Sequence, residues 1–92
     1  MHVIVMYDIS QNNVRTSLIK KLQHFGLNRI QKSIFCGILN IEERLDLASE
    51  FDSYISSPND SIIMVPVCEN CNDSVYIEGD VSLPKKEEFL IL

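Results

Sequence analysis

The 92-residue sequence predicts an α+β domain, a four-stranded antiparallel sheet with two helices on one face. Three observations predict it. Residues 1–9 and 60–67 are apolar at both alternating sets of positions, as strands covered on two faces are. Residues 14–25 and 45–55 instead repeat their apolar side chains at helical spacing, as helices with one buried face do. The order is strand, helix, strand, then two more strands after a second helix, which matches a split unit whose helices share one side of the sheet.

Each element has its own signal. In the first strand Ile4, Met6 and Asp8 share one face and Val3, Val5 and Tyr7 the other, so both faces are apolar until the carboxylate arrives. Asn12 or Asn13 can cap a helix whose stripe runs Val14, Leu18, Leu22, Phe25, and Gly26 is placed to end it. From 29 to 39 alternation returns, with Ile30, Ile34, Cys36 and Ile38 on one face and Arg29, Gln31, Ser33, Phe35 and Leu39 on the other. That pattern predicts one second strand with a polar early half. Asn40 followed three residues later by Glu43 resembles a capping box, and Leu45, Ala48, Phe51 and Ile55 keep helical spacing behind it. Ser56, Ser57, Pro58 and Asn59 end that helix, and residues 60–67 form a third strand with Pro66 at its edge or end. After a turn over 68–72, Val75, Tyr76 and Ile77 predict a fourth strand closing at Gly79. The fold expected is ferredoxin-like, βαββαβ-type, over residues 1–79, with residues 80–92 as a tail that supplies an extra strand.

Two helices protect one face of such a sheet, so the other face is expected to meet a second copy, making a homodimer. Ninety-two residues, 46% apolar and 23% charged, suit one small domain that gains from oligomerisation. No segment approaches the roughly 18 uninterrupted apolar residues of a membrane span, and no basic region precedes an apolar stretch with a cleavage site. A cytoplasmic protein with no membrane partner is expected. The odd cysteine count, Cys36, Cys68 and Cys71, argues for reduced thiols, with Cys36 in the core.

Net charge is −5, but residues 1–39 carry +4 and residues 40–92 carry −9. The basic half holds Arg15, Lys20, Lys21, Arg29 and Lys32 with Asp8 as its lone acid, which points to phosphate chemistry beside a carboxylate. Lys20 and Lys21 taken alone read equally well as a solvated helix face.

Several segments together carry a family resemblance. They are Tyr7-Asp8-Ile9-Ser10, Arg15 in the first helix, the run from Gly26-Leu27-Asn28-Arg29 through Ile30-Gln31-Lys32-Ser33 to Ile34-Phe35-Cys36-Gly37, and Asp60-Ser61 opening a strand that ends Pro66-Val67-Cys68-Glu69-Asn70-Cys71. Over residues 2–79 the chain resembles the second, smaller of the two universal CRISPR-associated (Cas) adaptation proteins. The resemblance implies a homodimer of ferredoxin-like subunits, a metal-dependent endonuclease acting on RNA or DNA, and a place between integrase dimers during spacer acquisition. It implies Asp8 as metal ligand, Asp8, Tyr7 and Phe35 as catalytic residues, and Arg15, Arg29 and Lys32 as nucleic-acid contacts. The departure is Ser17, where some relatives carry a second basic residue.

One carboxylate is a poor Mg²⁺ site, since that ion takes about six oxygens and commonly one or two protein carboxylates. Two-fold symmetry supplies the second if Asp8 from each subunit meets its mate, giving one Mg²⁺ or Mn²⁺ site shared between two subunits. The competing role for Asp8 is to organise the strand-to-helix turn through Ser10 and Asn12. Phe35 taken alone reads more readily as plain packing. Cys68-x-x-Cys71 has the spacing of half a zinc site and also of a tight turn. His2 and His24 have no evident nucleophile near them in the sequence, and Ser10 and Ser33 are candidates to support Asp8 or bind phosphate. The apolar terminus Phe89-Leu90-Ile91-Leu92 is expected to add to a sheet edge of the mate or to dock the integrase. Three further readings compete with the enzyme: a non-catalytic scaffold in the adaptation complex, a toxin-type ribonuclease of the same fold, and a small-molecule regulatory module.

Overall fold

The computed structural model describes residues 1–67. Strands β1 (His2–Asp8), β2 (Asn28–Gln31), β3 (Ile34–Ile38) and β4 (Ser61–Val67) alternate with helices α1 (Asn12–His24) and α2 (Ile41–Glu50), and a 3-10 turn, Phe51–Tyr54, follows α2. The sheet runs β2-β3-β1-β4 with every pair antiparallel. This is the predicted ferredoxin-like arrangement. The strand expected at 75–77, the Cys68–Cys71 turn, the 79/80 boundary and the tail lie outside the described residues.

The four strands are not divided as the alternation suggested. Residues 29–39 are two strands, β2 and β3, folded back on each other through a turn at Lys32 and Ser33. Arg29 pairs with Phe35 and Gln31 with Ile34, and the register shifts between Arg29 and Gln31. Arg29 and Phe35 keep the shared face that the alternation assigned them, and only Gln31 opposite Ile34 departs from it, which is why one long strand fitted the sequence. The turn lacks the Asn-Gly or Gly-containing pair that marks most two-residue hairpins.

The core lies between the sheet and the helices. Val3, Val5 and Tyr7 of β1, with Phe35 and Leu39, meet Leu18 and Leu22 of α1 and Leu47 of α2, all buried. Each fully buried leucine contributes about 1.5–3 kcal/mol of apolar transfer. Helix α1 buries the predicted stripe and stops as predicted. The amide of Gly26 (φ +85°) donates to the Gln23 carbonyl at 2.9 Å and that of Leu27 to the Leu22 carbonyl at 3.1 Å. This closing pattern needs a left-handed residue, which glycine adopts without strain.

Helix α2 has the predicted capping box: Glu43 N donates to Asn40 Oδ1 at 2.8 Å and Asn40 N to Glu43 Oε1 at 2.9 Å. Its buried face differs from the predicted one. Leu47 is buried, with Phe51 and Tyr54 packed against the core, while Ile41 and Leu45 are exposed. The two candidate stripes lie two positions apart and share Phe51, so periodicity alone did not separate them.

Gly37 of β3 stands where a methyl group would lie 2.7 Å from Leu27 Cδ2 and 3.2 Å from Leu27 Cα. Leu27 is itself buried. Gly37→Ala is expected to destabilise the fold by about 1–3 kcal/mol through overpacking, read from urea denaturation. An unchanged midpoint would mean that the segment after α1 yields freely.

The second sheet face is left open among the described residues. Cross-strand partners Ile4 and Val65, Met6 and Ile63, and His2 and Ile38 lie on it, and Asp8 and Ser61 end the same row. Ile38, Ile63 and Val65 are exposed and Ile4 and Met6 half-buried. Cys36, paired with Ile4, is fully buried, and burial pushes its thiol up to about 11, so it stays protonated and inert at neutral pH.

Candidate nucleic-acid and metal site

A cleft of about 480 Å³ opens at the C-terminal end of β1, lined by Tyr7, Asp8, Ile9, Arg15, Arg29, Lys32 and Ser33. Three chain segments meet there: the end of β1, the first turn of α1, and the β2–β3 hairpin. Five of the six residues named from the sequence line it. Phe35 does not; it lies fully buried beneath, with the Arg29 guanidinium carbon 5.8 Å from its ring centroid and the Tyr7 ring 6.3 Å away.

The arginines are held by neutral acceptors. Arg15 Nη1 donates to the Ile9 carbonyl at 2.7 Å, and its Nη2 donates to Asn12 Oδ1. Arg29 donates to the Lys32 carbonyl from Nε at 3.2 Å and from Nη2 at 2.6 Å. The Tyr7 hydroxyl donates to that same carbonyl at 3.1 Å. Burial raises the Tyr7 phenol above its ordinary pKa, and the charges of Arg29 and Arg15 pull partly the other way. The phenol is therefore protonated at neutral pH and acts as a donor. Among the described residues, none of Arg15, Arg29 and Lys32 is ion-paired with a carboxylate, so their charge is left to act on the cleft. Lys21, by contrast, pairs with Glu50 at 3.1 Å.

The Asp8 side chain makes no hydrogen bond or ion pair among the described residues, and the residue is exposed. The turn it was weighed to organise is held by another acid. Asp60, buried directly before Ser61, accepts Ser10 N at 2.9 Å and Ser10 Oγ at 3.0 Å on Oδ1, and Ser56 N at 3.0 Å and Ser56 Oγ at 3.1 Å on Oδ2. The backbone donor of Ser10, then that of Ser56, holds the Asp60 carboxyl below its ordinary pKa. The cap position of α1, Gln11, makes no side-chain capping bond, so Asn12 and Asn13 are helical residues and not the cap.

One chain supplies a single carboxylate here, less than a divalent ion needs, so a metal would fit this donor set only with ligands added from outside the chain. No cluster of three or more His, Cys, Asp or Glu occurs among the described residues, but an exposed carboxylate free of partners beside a cationic cleft suits a hard cation that also takes waters and phosphate oxygens.

The family model for CRISPR associated protein Cas2 matches residues 1–75. The chain belongs to this family. It is 36% identical over 85 residues to CRISPR-associated endoribonuclease Cas2 1 of Archaeoglobus fulgidus, covering 92% of this chain and 90% of that one. It is also 34% identical over 74 residues to a CRISPR-associated endonuclease Cas1/endonuclease Cas2 fusion of Thermoproteus tenax, spanning 80% of this chain and 28% of the fusion. The crystal structure of Streptococcus pyogenes Cas2 superposes with a TM-score of 0.72 at 24% identity, over 86% of this chain and all of that one, which shows the fold.

Within this Cas2-family chain, Asp60 and the Lys32 carbonyl are the site components that pattern reading missed. Asp60 opens a strand and looks like a turn residue; only the fold brings it to Ser10, fifty positions away. A main-chain acceptor leaves no mark in a sequence.

For Asp60 the sign of the pH effect is fixed. The folded state binds its proton less readily than the unfolded chain, so the stabilisation is complete above the unfolded pKa of about 3.9 and is lost as pH falls through the lower folded value. The gap in urea midpoint between wild type and Asp60→Asn is expected to hold steady from about pH 7 to 5 and to close below about pH 4. A gap that persists at low pH would contradict this.

Proposed function

We propose that this chain is a metal-dependent endonuclease of the CRISPR adaptation machinery, hydrolysing phosphodiester bonds of RNA or DNA as a homodimer. The observation that carries the proposal is the Asp8 carboxylate, without a side-chain partner among the described residues, lining one cleft with three cations that no carboxylate among those residues neutralises. The relatives' description as endoribonucleases supports it and makes RNA the first substrate to test. Asp8 continues the row Ile4, Met6 on the open face, so pairing two such faces buries apolar surface and draws two Asp8 carboxylates to one axis. A Mg²⁺ or Mn²⁺ ion held there supplies phosphate polarisation and a bound water of lowered pKa.

The chain's own groups do the rest. Arg15 and Arg29 keep free N–H donors for phosphate oxygens, and Lys32 adds a mobile charge at the rim. The Lys32 carbonyl, which also accepts the Tyr7 hydroxyl, and the Phe35 ring beneath it hold the Arg29 head where it meets the cleft. Tyr7 and Phe35, named from the sequence as catalytic, serve in this reading to position Arg29. Purified protein is expected to cut RNA or duplex DNA with Mg²⁺ or Mn²⁺ and to stop when the metal is chelated. No cleavage under any metal would favour a second reading, a dimeric scaffold that holds an integrase and grips the nucleic-acid backbone without cutting it. The Thermoproteus tenax chain, which joins an endonuclease Cas1 to an endonuclease Cas2, supports association with a Cas1-type partner in either case. Docking of the integrase through residues 80–92 belongs to this proposal too.

A further inference from the structure

Asp60 is not a ligand of the cleft, yet it decides what Asp8 is free to do. The β1–β4 ladder ends at the Asp8–Ser61 pair, so Asp60 is the first residue off the ladder on the partner strand. From there its two oxygens take four donors. Oδ1 holds both donors of Ser10, two residues after Asp8, and Oδ2 holds both donors of Ser56, from the segment following the 3-10 turn. A carboxylate engaged on both oxygens by two main-chain amides and two hydroxyls has little freedom left. The segment leaving β1 is thus fixed on both sides of Asp8, by the strand ladder before it and by the Asp60 clamp after it.

Removing the clamp frees two Ser10 donors at a strand-to-helix junction whose helix has no side-chain cap. Asp8 stands two residues before Ser10, and a carboxylate at that spacing from a free amide readily closes an Asx-type turn. We propose that Asp60 is a positioning residue for the site, occupying the Ser10 donors so that the Asp8 carboxylate stays unbonded and presented to metal and phosphate. The inference rests on the assignment of Asp8 as the metal-binding carboxylate. It adds a residue, fifty positions away in sequence, on which that assignment depends.

The test compares wild type, Asp8→Ala, Asp60→Asn and a stability control, Leu47→Val, whose side chain is buried on α2 away from the cleft. All are kept well below their melting temperatures and checked for equal dimer content. Two quantities are read: Mn²⁺ affinity by titration without substrate, and kcat and KM for cleavage. Asp60→Asn is expected to weaken Mn²⁺ binding and lower kcat by about tenfold or more, with KM little changed, while Leu47→Val stays at wild type in both. Asp60→Asn behaving like Leu47→Val, with Asp8→Ala inactive, would overturn the positioning role and leave the Asp8 assignment standing. Asp8→Ala that still binds Mn²⁺ and cleaves, or wild type that does neither, would overturn both.

Discussion

Asp8→Ala is expected to abolish metal-dependent cleavage, by at least about a hundredfold in kcat, while leaving the fold and the dimer intact. The structural side of this expectation is direct. Asp8 is exposed and ends its strand, and its carboxylate bonds to nothing among the described residues, so truncating the side chain costs no internal side-chain interaction there. In a dimer two like charges are also removed from one axis, which relieves repulsion when metal is absent. The variant should therefore be as stable as wild type, or more so, and inactive. Thermal melts and gel filtration alongside the cleavage assay separate this outcome from misfolding. Equal cleavage by both proteins would move the chemistry elsewhere.

Ile63→Asp is expected to dissociate the dimer and to lose cleavage with it. Ile63 sits 51% exposed on the open sheet face, paired with Met6 across the ladder, so a carboxylate there leaves the monomer core undisturbed. In a face-to-face dimer the charge is buried twice, once per subunit, and lies in the same row as Asp8. Burying an unpaired charge costs several kcal/mol, which over two sites raises the dimer Kd by about a thousandfold or more. Analytical ultracentrifugation should show monomers at concentrations where wild type is dimeric, with the circular dichroism spectrum unchanged. A variant that remains dimeric would place the interface elsewhere.

Much of this was legible in the residues themselves. The apolar first strand, the stripe of α1 with Gly26 behind it, and the Asn40–Glu43 capping box rest on short-range periods and local hydrogen bonds, and they fold as read. The hairpin was not legible. Its turn uses Lys32 and Ser33, which carry no left-handed signature, and Arg29 and Phe35 on either side keep the face that the alternation assigned them. The buried face of α2 was not legible either, since it is chosen by Leu47 meeting the sheet, a tertiary outcome, over a competing stripe that leaves Leu45 in water.

The site divides in the same way. Asp8, Arg15, Arg29 and Lys32 stood out as one carboxylate among cations in the basic half, and the fold gathers them at one cleft. Neither the joint use of the Lys32 carbonyl by Tyr7 and Arg29 nor the Asp60 clamp on Ser10 has a sequence period. Both depend on strands that pair only in the folded chain.

The proposed dimer holds a single site built from two Asp8 carboxylates. Mixed dimers carrying one wild-type and one Asp8→Ala subunit, isolated through two different affinity tags, test it most directly. The composite site predicts cleavage as low as that of the Asp8→Ala homodimer, because one carboxylate per axis is left. Cleavage at about half the wild-type rate would contradict it and assign an independent site to each subunit.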